Sequence, residues 1–289
     1  MTLLERTVSG IASRLVLLAP AGAPVPEHFV NVDFDFDRHQ RVLRAVQRFR
    51  GSVYLADGAV SQEQLGPEGL HRTAEDDQSW HLVLLDGQGE IAASAWYRDY
   101  PSQVHLQRLR LRQCPLAMAS EWRDRLWVAV EHELALARRQ GLRYAELGGW
   151  AVSEACRRSG DTLGIALAAY ALGRVFGDSL GITTATVKHG SSRILRGLGG
   201  QPLELDGEEI PPYFDPHYNS LMELVRFDSR HPARRYAPGI ALVQRRLMDA
   251  RVVARPYWPM TFRAPSPARV VEHHAMMPSF MSEGLAATA

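Results

Sequence analysis

The chain has 289 residues, with 33 basic and 32 acidic side chains and a formal net charge of +1. That balance supplies no field to draw it onto nucleic acid, no apolar run is long enough to span a bilayer, and its 46% hydrophobic content suits a globular fold. Two cysteines, Cys114 and Cys156, give no disulfide framework, so a reducing cytoplasm is the expected compartment.

Leu3, Leu4, Val8, Ile11 and Leu15 recur at helical spacing, and a Pro/Ala/Gly stretch follows, so residues 1–26 are expected to form an N-terminal arm. Phe29 to Phe36 alternates like a strand or an extended lead-in. Arg38 to Arg50 places Val42, Leu43, Val46 and Phe49 on one helical face. Residues 51–79 have no period. Trp80 to Tyr97 is the clearest hairpin, turning at Gly87-Gln88-Gly89. Val104 to Leu111 alternates and predicts a third strand. Glu121 to Gln140 carries Trp122, Leu126, Val130 and Leu134 at helical spacing, with Gly141 as its C-cap.

Next come a strand from Arg143, interrupted by Gly148-Gly149, and a loop with Arg157-Arg158. The Ala- and Leu-rich helix Leu163 to Phe176 and a strand over Ile182 to Val187 follow. Glycine inside a strand marks a bulge or a close backbone approach. Asp161 or Thr162 is placed to cap the helix. Arginines feeding a helix N-terminus suit a phosphate, through free N–H groups and bidentate donors. Ser191 to Leu198 predicts a short helix, Leu221 to Phe227 a strand, and Ile240 to Val253 a further helix. A Pro-rich arm closes the 231–289 segment.

The stretch from Arg143 to Val187 resembles the central motif of the GNAT acyltransferase superfamily. That motif is a splayed strand, a loop of type Arg/Gln-x-x-Gly-x-Gly/Ala, and a helix. Here Arg157-x-x-Gly160 matches the loop, and Thr162 stands where the second glycine would be. The element order extends the resemblance over residues 30–228. Within the superfamily the chain is most similar to the acyl-homoserine-lactone synthase and N-acyl amino acid synthase branch. That branch carries Glu-x-x-Arg-aromatic-x-Val on the strand. Glu146, Trp150 and Val152 match it, and Gly149 stands at the Arg position. The resemblance implies an α/β (α+β) fold over residues 27–230. Its central sheet is mixed and largely antiparallel, with a splayed parallel strand pair and flanking helices. It also implies transfer of a long acyl chain from acyl carrier protein or acyl-CoA to the amine of a small molecule such as an amino acid. No permanent cofactor is expected. The alternatives are an acetyl-CoA-dependent N-acetyltransferase and a non-catalytic domain that binds an acyl thioester or a protein.

Such a reaction needs donors for a carbonyl oxygen, a base for the amine and an anchor for the phosphopantetheine arm. The backbone of Ala151 and Val152 is nominated for the carbonyl. Arg157, Arg158, Gly160, Asp161 and Thr162 are nominated for the phosphate, with solvated loop arginines as the alternative. Glu146 is the candidate base or amine-orienting group, unless it faces outward. His189 is a candidate acid or base, because an unperturbed imidazole titrates near neutrality, or a surface histidine. Tyr213 and Tyr218 are weaker hydroxyl candidates. Trp150 and Asp77 are assigned to the acceptor, although Asp76-Asp77 also reads as a solvated edge. Cys156 has no base tied to it and reads as a buried thiol. His273-His274, without further ligands at set spacing, makes no metal site.

Overall fold

The computed structural model describes residues 14–157 and 161–256. Its strands are β1 (Leu15–Leu18), β2 (Val32–Phe34), β3 (Trp80–Leu85), β4 (Ile91–Tyr100), β5 (Arg143–Val152), β6 (Ser179–Thr186) and β7 (Gln201–Pro202). They continue as β8 (Glu204–Leu205), β9 (Glu208–Glu209), β10 (Tyr213–Asp215), β11 (Ser220–Asp228) and β12 (Arg251–Ala254). The helices are α1 (Phe36–Ala56), α2 (Pro115–Met118), α3 (Arg123–Gln140), α4 (Asp161–Val175), α5 (Ser191–Gly197) and α6 (Ala237–Leu247).

One mixed sheet runs β10-β11-β6-β5-β4-β3-β1-β12-β2, with β7 on β11, while β8 and β9 form a separate ribbon. Its pairings are antiparallel except for β5 with β6, β1 with β12 and β12 with β2. Helix α4 is the crossover between β5 and β6. From Ile165 to Leu172 it is buried on every side, as a helix apolar all round must be. It packs with the sheet and with Ile240, Val243 and Leu247 of α6 into one core. A second core forms around Leu126, Val130 and Leu134 of α3 and Leu180, Ile182 and Leu224 of the sheet. Helix α1 opens on Asp35, whose carboxylate accepts from Arg38 N at 2.9 Å. Gly141, at φ 65°, closes α3 as expected.

Three sequence expectations need correction. Val104 to Leu111 is not a strand: 3-10 turns at Leu106–Arg108 and Arg110–Gln113 bury Val104, Leu106, Leu109 and Leu111. The backbone N–H groups of Arg110 and Leu111 go to the Glu146 carboxylate, both at 2.8 Å, instead of to a strand. The helix expected over Ile240 to Val253 stops at Leu247, and Arg251–Ala254 enters the sheet. The sheet also takes in Leu15–Leu18, so it reaches beyond residues 27–230 at both ends. Leu3, Leu4, Val8, Ile11 and the Pro-rich arm with His273-His274 lie outside the described residues.

Candidate active site

The parallel pairing of β5 with β6 runs from Arg143↔Ser179 to Leu147↔Thr183 and ends there. Beyond that point β5 follows β4 as far as Val152↔Ala93. Meanwhile β6 follows β11 as far as Thr186↔Met222. The two strands therefore part in a V. A bulge drives the parting: Trp96 pairs with Gly148 and Ser94 with Ala151, so Gly149 and Trp150 face a single residue of β4. Gly149 has φ +61°, a conformation costly for any other residue. The bulge must also be bare. A Cβ on Gly148 would stand 2.2 Å from the Trp96 ring, and one on Gly149 2.4 Å from it. The Trp96 indole occupies the space that a side chain on either glycine would need.

The V opens into a cavity of about 260 Å³. Its lining holds two groups of side chains. One is apolar: Val152, Ile165, Ala166, Ala169, Ile194 and Leu195 belong to the core around α4, with Met222 of β11 also on the lining. The other is polar: Arg50, Tyr54, His71, Arg110 and Tyr218 contact one another. Thr183, Thr184 and Thr186 of β6, Gly148, Gly149 and Trp150 of β5, and Asp57 also line it.

Residues nominated from the sequence divide. Trp150, Val152, Arg157 and His189 line the cavity. Ser153 N donates to Ala92 O at 2.9 Å, so strand alternation turns Ala151 toward β4 and Val152 toward the open V. Arg157 Nη2 donates to Asp57 Oδ2 at 2.8 Å, and its Nε donates to Val152 O at 3.3 Å. Arg158 and Gly160 lie outside the described residues. Asp161 opens α4, with Thr162 next to it, and their side chains also lie outside the description.

Glu146 is turned away from the cavity. Its carboxylate accepts from Tyr100 Oη at 2.7 Å and from the two backbone N–H groups named above. It borders only a recess of about 10 Å³. Burial pushes the Glu146 carboxyl above its usual range, against those hydrogen bonds. The group holds the 104–113 segment in place and is not among the residues that line the main cavity. Asp77 is also elsewhere: it is exposed and meets Arg255 Nη2 at 3.3 Å. Tyr213 does not line the cavity; its buried hydroxyl lies against the Cys114 thiol.

The acid that matters is the neighbouring Asp76. It is buried and accepts from Arg50 Nη2 at 2.8 and 2.9 Å, from Gln47 at 3.0 Å and from Thr73 N at 3.0 Å. Burial raises its pKa, but Arg50, His81 and the Thr73 bond outweigh burial and hold the carboxyl below its usual value. Arg50 is 1% exposed and also donates through Nε to His71 Nδ1 at 3.1 Å. Burial, then the Arg50 and His217 charges, lower His71 to about 4. Because Nδ1 accepts from Arg50, the ring proton of His71 sits on Nε2. Arg110 ion-pairs with buried Glu75 at 3.3 Å, and its Nη2 donates to Tyr218 Oη at 3.4 Å. Sequence reasoning missed this cluster. Of its members only Tyr218 is nominated from the sequence, as a hydroxyl candidate, and it does line the cavity; residues 50, 71, 76 and 110 share no motif, and the only other signal was an acidic pair just before a strand.

No protein-family model matches the chain, and no curated protein matches it. Among solved structures it is similar to TofI, solved in a ternary complex with an inhibitor and MTA. The TM-score is 0.51 at 13% identity, over 81% of this chain and 99% of TofI. BjaI, a CoA-dependent acyl-homoserine lactone synthase solved with SAM and isopentyl-CoA, aligns at TM-score 0.46 and 15% identity, over 86% of this chain and 95% of BjaI. FeeM, an N-acyl amino acid synthase from uncultured soil microbes, aligns at 0.41 and 15%, over 69% and 89%. The chain therefore carries the GNAT-like fold expected from its sequence, a mixed sheet with a splayed parallel strand pair, in the form that TofI shares.

Proposed function

We propose that the chain is an N-acyltransferase that moves an acyl group from a phosphopantetheine thioester, on acyl carrier protein or CoA, to the amine of a small molecule. One observation carries this reading: a glycine bulge parts two parallel strands over a cavity that has an apolar arm and a polar end. A thioester lies in that V with its acyl chain along Ala166, Ala169 and Leu195, and its carbonyl oxygen against Val152 N–H. A backbone donor fixed in that position stabilises the oxyanion as it forms. The amine nitrogen attacks the carbonyl carbon, the C–S bond breaks, and the nitrogen loses a proton while the thiolate gains one. His189, at the rim, is the group placed to exchange that proton with solvent. The donor phosphate meets Arg157 and the start of α4. The apolar arm favours a long acyl chain over acetyl, because each buried methylene adds about 0.8 kcal/mol.

Mass spectrometry of lipid extracts from cells overproducing the protein tests the reading, beside an Arg157→Ala/Arg158→Ala variant. New N-acyl amines that fall away in the variant support it and give the chain length. Soluble, folded protein that yields no new acyl amine, and no transfer from purified acyl thioesters, sinks it in favour of a binding role.

A further inference from the structure

An ammonium ion has no lone pair, so an acceptor amine must shed a proton before it attacks a thioester. The cavity lining offers it little to shed that proton to. Among the described residues, Asp57 is the only carboxylate on the lining, and it is paired with Arg157. His71 has its Nδ1 lone pair on Arg50 Nε at 3.1 Å, so it presents Nε2–H. Burial keeps the phenols of Tyr54 and Tyr218 protonated, and the Tyr218 oxygen already accepts from Arg110 Nη2 at 3.4 Å. His217 packs on His71, with ring centroids 6.2 Å apart, and does not line the cavity. His189 stands exposed at the rim.

The polar wall carries charge of one sign. Arg50 is 1% exposed and spends Nη2 on Asp76 and on His71 O. Its Nη1 lies beside Gly149, 3.0 Å from where a Cβ would stand, so the bare glycine leaves the guanidinium room at the wall. Arg110 pairs with Glu75 at 3.3 Å. Neither Asp76 nor Glu75 lines the cavity. Both pairs thus present the cation and keep the anion behind it, and the nearer charge of a pair sets the sign of the field. One basic nitrogen of this wall already feels it. His71 is held down to about 4, by burial first and then by the Arg50 and His217 charges.

We infer that the acceptor enters this cavity only as its neutral amine: Arg50 and Arg110 repel the ammonium form, and no side chain serves as a general base to it. The inference rests on the acyl-transfer reading and deepens its chemistry. A cationic neighbour keeps a nucleophilic amine unprotonated, which replaces the work of a base. The ammonium leaves its extra proton in bulk water. The neutral nitrogen then attacks the carbonyl carbon, the C–S bond breaks, and one N–H proton passes by way of His189 and solvent to the thiolate.

The test needs no knowledge of the natural acceptor. Lys188 is the only lysine of the chain, and Thr184 lines both the main cavity and the recess that Arg110 borders. In a Lys188→Arg/Thr184→Lys variant the one lysine is an amine tethered beside the wall, and NMR after isotopic labelling reads its titration. It is expected to titrate at about 8 or below, against about 10.4 for a free lysine. Adding Glu75→Gln/Arg110→Met removes cation and counter-charge together and is expected to move that midpoint up by about one pH unit or more. A tethered lysine that titrates like a free one, or that ignores the loss of Arg110, overturns the inference.

Turnover gives a second reading that does not depend on the lysine variant folding. Decanoyl-CoA is the donor, and ethylamine, fluoroethylamine and difluoroethylamine, whose ammonium ions are steadily more acidic, are the acceptors. From about pH 7 to about pH 9, kcat with ethylamine is expected to stay level while kcat/KM rises about tenfold per pH unit, as the free amine does. At the lower pH the fluorinated amines are expected to show the lower KM. In Glu75→Gln/Arg110→Met the ammonium form occupies the site as well, so KM falls at the lower pH and kcat starts to depend on pH. A wild-type kcat that itself climbs about tenfold per pH unit shows a base acting on bound ammonium and overturns the inference. If no amine is acylated at all, the transfer reading fails by itself, and the tethered lysine still decides whether the wall turns a cation away.

Discussion

The two ends of the cavity are made in opposite ways. The apolar arm and the V come largely from one run of chain, β5 through α4 to β6, so each wall is near the next in sequence. The polar end gathers Arg50 from α1, His71 from a loop, Arg110 from a 3-10 turn and Tyr218 from the turn before β11, with Asp76 of the 3-10 turn Asp76–Gln78 paired to Arg50 behind them. The first end is held by packing and tolerates changes of shape. The second is held by ion pairs to buried carboxylates, where losing one partner strands the other. The bulged strand pair is thus framed by a local motif, and the polar wall of the cavity by a long-range network.

The sharpest way to separate the ends is Asp76→Ala. It leaves Arg50 charged and buried, and the expected loss of stability is about 3–5 kcal/mol in denaturant unfolding. A loss below about 1 kcal/mol would mean the pair does not hold the polar end together. Acid titration should come next in size. His71 takes up a proton near pH 6.5 when unfolded and only near 4 when folded. The unfolded chain therefore binds more protons in that window. The stability from His71 is full above about pH 6.5 and fades toward pH 4, by roughly 3 kcal/mol. His71→Gln should flatten that part of the pH–stability curve, whereas changes in the apolar arm should leave its slope alone. Gly148→Ala drives a methyl into the Trp96 ring and should cost about 1–3 kcal/mol. Adding Trp96→Leu should recover most of it, measured as the urea midpoint. The smallest effect on stability is expected from Ala169→Leu, about 1 kcal/mol. Its readout is product chain length: the acyl chains found by mass spectrometry should shorten. An unchanged distribution would show that the apolar arm does not hold the acyl group.

How much was legible follows the same division. Gly148-Gly149 inside an apolar run announced the bulge, because only a special backbone site explains two glycines there. The hairpin, α3 with its Gly141 cap, and the parallel β5–α4–β6 crossover were all readable from local period and punctuation. Glu146 was legible as a residue to single out, but its hydrogen-bond partners were not. A strand glutamate beside a bulge points into a cleft or into a buried backbone, and only the fold brings the N–H groups of Arg110 and Leu111 to it. The same contact explains the false strand at Val104 to Leu111. Alternation records which residues are buried, and turns pinned to a carboxylate satisfy it as well as a ladder does. Asp76 and Asp77 were indistinguishable in sequence. The structure buries the first on Arg50 and exposes the second on Arg255.

The placing of β12 has a consequence during synthesis. Leu15–Leu18 and Val32–Phe34 do not pair with each other; each pairs in parallel with Arg251–Ala254, which lies between them. A nascent chain can therefore zip β3 onto β1 early, yet the outer edge of β1 stays open until β12 has left the ribosome. At typical elongation rates that wait is on the order of ten seconds to a minute. Through it, Leu17 and Leu18 sit on an unpaired strand edge, the kind of surface on which chains aggregate. A message cut short of Arg251 would leave that edge open permanently, even though the cavity lining would be complete.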